Sequence, residues 1–181
     1  MGTRWESVFV SCTYGQLLEV AEAAKELLPH VLRGRLSLNA FLVGSRPDAY
    51  SLECTGFRAG PTPLRGMPSG SLETALQSLP PEVLQYSGKH AELALAALAS
   101  GVVGSATWLF FSDSLGEAAG AWFHEGALAH SFYATESQVP GYQQQFLAAL
   151  AEFVPGVSYV DDELFEVVYK SGVAATIEVG G

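Results

Sequence analysis

The chain has 181 residues, 49% of them hydrophobic and 15% charged, with a formal net charge of −10. That length fits one domain with a core large enough to stand without disulfides or metals, and the composition excludes disorder. A chain this acidic repels phosphate backbones, so nucleic acid is a poor partner.

The charge is unevenly placed. Residues 1–89 hold eight acidic and eight basic side chains, whereas residues 90–181 hold eleven acids and the single base Lys170. No Lys or Arg occurs from His90 to Tyr169. In the first half Arg33, Arg35, Arg46, Arg58 and Arg65 lie in a stretch whose only acids are Asp48 and Glu53.

In chain order, Trp5 to Cys12 alternates and reads as a strand, with no apolar run of signal-peptide length before it. Thr13-Tyr14-Gly15-Gln16 has capping-box spacing and opens a helix with Leu17, Leu18, Ala21, Ala24, Leu27 and Leu28 inward, ended or kinked by Pro29. Leu36 to Leu42 and Tyr50 to Thr55 alternate as two strands about a turn at Gly44–Asp48. Phe57 to Gly70 is a Gly/Pro-rich loop, followed by a short helix from Ser71 that Pro80-Pro81 breaks.

The twenty uncharged residues from Leu93 to Ser112 have the length of a membrane span. Their period changes midway, so they are read as the end of an Ala-rich helix from Lys89 to Ser100, stopped by Gly101, and a buried strand from Val102 to Phe111. Glu117 to Thr135 predicts a hairpin turning at Glu125-Gly126. A helix after Pro140-Gly141 carries Tyr142, Phe146, Leu150 and Phe153 on one stripe and ends at Pro155-Gly156. A further helix, with a strand as the alternative, is predicted after Asp161-Asp162, and Val173 to Val179 reads as the last strand.

The predicted fold is therefore a single compact α+β domain over residues 1–181. A mixed or antiparallel sheet has helices packed on it, its first part in the β-α-β-β-α-β order of a ferredoxin-like unit, followed by the hairpin and C-terminal helices.

Chemistry-bearing motifs are not found. His124-Glu125 lacks the second His of H-E-x-x-H, because Leu128 occupies its place. His90-Ala91-Glu92 has no P-C-x-x-C to complete a zinc deaminase site. Gly88-Lys89-His90 lacks the rest of a P-loop. With a two-residue turn, His124 would pair with Ala127 and His130 with Ala121, putting the rings on opposite faces. His30 and His90 stand apart from both. Cys12 and Cys54 are expected as buried reduced thiols, which points to a cytoplasmic compartment. No catalytic residue, metal ligand or cofactor site is assigned.

The densest acidic feature is Asp161, Asp162, Glu163 and Glu166. Acids suit a first helical turn, but four exceed what one cap requires, so they are read as a patch for a basic protein partner. The sequence thus points to a non-enzymatic acidic protein-binding domain, with a bacterial immunity or antitoxin-type inhibitor of a basic toxin as its concrete form. The alternatives are a small enzyme assembled from dispersed residues, around Phe57–Gly70 with Asp113 and Glu117, and a homo-oligomeric scaffold. Contact between the Arg33–Arg65 region and the acidic half of another copy would permit self-association.

Overall fold

The computed structural model describes residues 4–31, 36–43, 48–55, 89–160 and 173–179. Seven strands form one sheet: β1 (Arg4–Ser11), β2 (Leu36–Leu42), β3 (Ala49–Thr55), β4 (Ser105–Ser112), β5 (Glu117–His124), β6 (Ala127–Thr135) and β7 (Val173–Val179). Three described helices accompany them, α1 (Tyr14–Val31), α2 (Lys89–Val103) and α3 (Tyr142–Leu150). The strand order is β6-β5-β4-β1-β3-β2-β7, and every pairing is antiparallel. The α+β class is as expected, and the inner order β4-β1-β3-β2 places the first four strands together. Residues 56–88, where the sequence predicts the Gly/Pro-rich loop and a further helix, lie outside the described residues, as do 161–172.

The sheet is buried on both faces at its centre, which is why β4 is buried from Ala106 to Phe111 and, Thr107 apart, apolar over that run. Val8, Trp108 and Ala121 are neighbours across β1, β4 and β5. They belong to a core with Leu17, Val20, Ala21 and Ala24 of α1 and Leu93 to Ala99 of α2. The opposite face carries Trp5, Phe9, Leu109 and Phe111 beneath Tyr142, Phe146 and Leu150 of α3. Phe146 meets Trp5 edge-on at 5.5 Å and tilts against Phe111 at 5.1 Å. Truncating so buried a ring costs about 3–5 kcal/mol.

The capping box forms as its spacing requires. The Gln16 N–H donates to Thr13 Oγ1 at 3.2 Å, and the Thr13 N–H donates back to Gln16 Oε1 at 2.9 Å. Leu18 departs from the expected inward stripe: it is 43% exposed, while Val20 takes a core place. Pro29 does not end α1, which continues to Val31.

The largest boundary correction concerns α2. Gly101 lies within the helix, which runs on to Val103, so β4 begins at Ser105 and not at Val102. Gly104 has φ +98° and makes the reversal instead, donating its N–H to Ser100 O at 2.9 Å. The long uncharged stretch is therefore part helix and part strand, and no described helix is long and apolar enough to cross a membrane.

The hairpin of β5 and β6 turns at Glu125 (φ 49°) and Gly126 (φ 83°), the positive-φ pair that a two-residue primed turn demands. Its tip is fixed to the end of α2. The Glu125 N–H donates to Gly104 O, and the Gly126 N–H donates to Ser100 Oγ, both at 2.9 Å.

Candidate functional site

One groove stands out on the sheet face that α3 covers. Phe9 pairs with Thr107, Thr107 with Trp122, and Trp122 with His130. Paired residues share a face, so these four side chains form a row across β1, β4, β5 and β6. Ser105 and His124, also paired, form the next row toward the end of the sheet. The turns after α3 lay Glu152 and Phe153 over this floor. Phe153 stacks on Phe9 at 4.7 Å, and Trp122 Nε1–H donates to Glu152 Oε2 at 3.3 Å. The groove measures about 530 Å³, within the range of small-ligand and side-chain pockets, and its wall is as polar as it is apolar, with Ser11, Ser105 and Thr107 supplying hydroxyls. Among the described residues that line it, Glu152 alone is charged.

The position of His130 corrects the sequence reading. The turn is the two-residue one and His124 does pair with Ala127, but the register shifts between Trp122 and Phe123, leaving one extra residue on β6. This bulge pairs His130 with Trp122 and not with Ala121, turning it onto the same face as His124. Its ring stacks on Trp122 with centroids 4.2 Å apart and planes 14° from parallel.

Ser105 Oγ and His124 Nδ1 lie 3.2 Å apart, a hydroxyl and an imidazole within hydrogen-bond reach. Acyl transfer also needs donors aimed at a developing oxyanion. The two backbone N–H groups of the adjoining turn are already committed, to Gly104 O and Ser100 Oγ. The pair serves to join β4 to β5 at the groove's end.

Asp113 and Glu117 lie at the opposite end of these strands. Asp113 is exposed and accepts from Tyr142 OH at 3.0 Å, while Glu117 is buried and accepts from Tyr133 OH at 2.8 Å. Burial is the main cause that pushes the Tyr142 hydroxyl above its ordinary value, with Asp113 adding to it, so the phenol stays the donor. The arrangement holds the turn before β5 against α3. Glu125 and Glu152 belong to the groove end and Asp113 and Glu136 to the other, so the exposed acids of 90–160 form two groups.

Asp161, Asp162, Glu163 and Glu166 lie outside the described residues, as do the side chain of Cys54 and Arg33, Arg35, Arg46, Arg58 and Arg65. Cys12 is buried and unbridged. Burial, followed by Asp48, pushes its thiol up, so the reactive thiolate is disfavoured although α1 begins two residues later. Among the described residues no group of three or more His, Cys, Asp or Glu side chains is placed to hold a metal ion.

Of the residues that line the groove, sequence reasoning named Phe153, as part of a helical stripe, and it singled out His124 and His130, which pair with Ser105 and Trp122 beside it. The signal for the others was the alternation of Ser105 with Thr107 and of Trp122 with His124, which becomes meaningful once the strands are paired. Comparison of the chain with family models, curated proteins and solved structures yields no match.

Proposed function

We propose that this chain is a non-enzymatic binding domain that takes a basic segment of a protein partner at the groove under Glu152 and Phe153. The observation that carries the reading is the groove's chemistry: an indole, two phenyl rings, hydroxyls and a carboxylate, all but Phe9 and Ser11 drawn from the stretch His90 to Tyr169 that holds no Lys or Arg. Aromatic faces and a carboxylate attract a guanidinium or ammonium group, and the net charge of −10 steers such a partner inward. Masking a basic toxin, as an immunity or antitoxin-type inhibitor would, is the concrete form of the proposal. Asp161, Asp162, Glu163 and Glu166 would add to the same attraction.

Trp122 makes the test direct, because Trp5 and Trp108 are buried and it alone of the three is partly exposed. The protein is titrated with an arginine- and lysine-rich peptide and with a glutamate-rich peptide while indole fluorescence is followed. The basic peptide is expected to bind at low salt and to lose at least tenfold in affinity at 0.5 M salt, with Glu152→Gln weakening it further. Equal binding of the acidic peptide, or no binding of the basic one at low salt, overturns the proposal.

A further inference from the structure

Among the described residues β6 ends the sheet, pairing with β5 on one side only. Edge strands are ordinarily guarded by Lys, Pro or inward charge. The nine residues of β6, Ala127-Leu-Ala-His-Ser-Phe-Tyr-Ala-Thr135, contain none of these. One bulge disturbs its start, and at its end Gln138 takes both backbone groups of Thr135, accepting from its N–H at 2.8 Å and donating to its C=O at 3.3 Å. Between them, from His130 to Ala134, the register is regular and the edge presents a straight ladder. Exposed acids stand at each end of the strand, Glu125 before it and Glu136 after it.

We infer that β6 is a docking edge on which the basic partner adds an extended strand of its own. The inference rests on the basic-partner reading above and specifies its form. Charge decides the occupant. A second copy pairing antiparallel about the middle of β6 would bring Glu125 of one chain beside Glu136 of the other, and a parallel pairing would set like against like. Both oppose acids to acids, between chains that each carry −10. A segment with an uncharged middle and basic ends meets a carboxylate at either end of the ladder.

The row Phe9–Thr107–Trp122–His130 also runs out to this edge. The residue added opposite His130 becomes the next member of the row, on the groove's face of the sheet. Backbone hydrogen bonds to β6 supply affinity, and alternate side chains along the groove face supply selectivity.

The test uses the whole protein and a peptide of alternating Thr and Val with lysines at both ends. Two derivatives carry N-methyl groups on alternate amides, one on each edge of the peptide. Strand addition expects one derivative to lose at least tenfold in affinity and the other to bind within twofold of the parent. It also expects the β6 amides to gain hydrogen-exchange protection, and a glutamate-ended peptide to bind at least tenfold more weakly. If the parent binds but both derivatives behave alike, or protection falls elsewhere, strand addition is wrong while the basic-partner reading stands. If the parent does not bind at low salt, the basic-partner reading itself fails. A protein that sediments as a dimer with β6 already protected assigns the edge to a second copy and overturns the inference.

Discussion

Trp122 and His130 stack across β5 and β6 with their ring planes 14° apart, and a single extra residue in β6 is what brings them together. The imidazole covers one face of an indole whose N–H is held by Glu152. Replacing His130 with Ala should therefore uncover Trp122 and loosen the groove floor. The expected result is a red-shifted, more quencher-accessible emission with a stability loss of only about 0.2–1 kcal/mol, the size of one cross-strand pair. Fluorescence with iodide quenching and a urea titration check both parts.

Ser100 joins two elements far apart in sequence. Its buried hydroxyl donates to Ala97 O at 2.7 Å and accepts from the Gly126 N–H at 2.9 Å. Ser100→Ala leaves that turn donor without its acceptor, a loss of about 1–3 kcal/mol. Amide exchange should quicken at Gly126 more than along the rest of β5 and β6. Unchanged exchange there would show that the hydroxyl does not hold the turn.

Gly120 sits in the middle of β5 because Phe132 lies against it. A Cβ at this position would stand 2.5 Å from Phe132 Cε1 and 3.0 Å from Leu109 Cδ2. Gly120→Ala should cost about 1–3 kcal/mol by overpacking, despite alanine's smaller backbone entropy loss. Combining it with Phe132→Leu should recover part of that loss. A double variant no more stable than the single one would place the strain elsewhere.

Alkaline pH should destabilise the fold, beginning with Cys12. Burial, then Asp48, raises its thiol above the ordinary 9.0. The folded state therefore holds the proton that the unfolded state releases. The associated stability is fully present below about pH 9 and is lost as pH rises from there through the folded value. Tyr50 and Tyr142, both raised chiefly by burial from 10.0, extend the decline upward. Urea midpoints at pH 7, 9 and 10.5 should fall in that order, and Cys12→Ala should flatten the first part of the drop.

Local signals in this sequence resolved into local structure where the physics is local. Thr13 and Gln16 satisfy each other's backbone donors within four residues, and Glu125-Gly126 accepts the positive φ of a tight turn. The boundary signal failed at Gly101, because a glycine ends a helix only where the chain must reverse. The need to feed β4 put that reversal at Gly104. The inward stripe of α1 likewise included Leu18, since periodicity finds a helical face but not the width of what covers it.

By itself, then, the sequence determined the α+β class, the elements recovered in the described residues, the buried β4 and the acidic second half, without Lys or Arg from His90 to Tyr169. Each follows from neighbours along the chain or from composition. Tertiary structure alone decided the order β6-β5-β4-β1-β3-β2-β7, the row from Phe9 to His130 and the exposure of β6. Strand pairing joins residues as far apart in the chain as Leu36 and Val179. Because side chains alternate with period two, one bulged residue sends every later side chain of β6 to the other face. No pattern confined to a single strand records that shift.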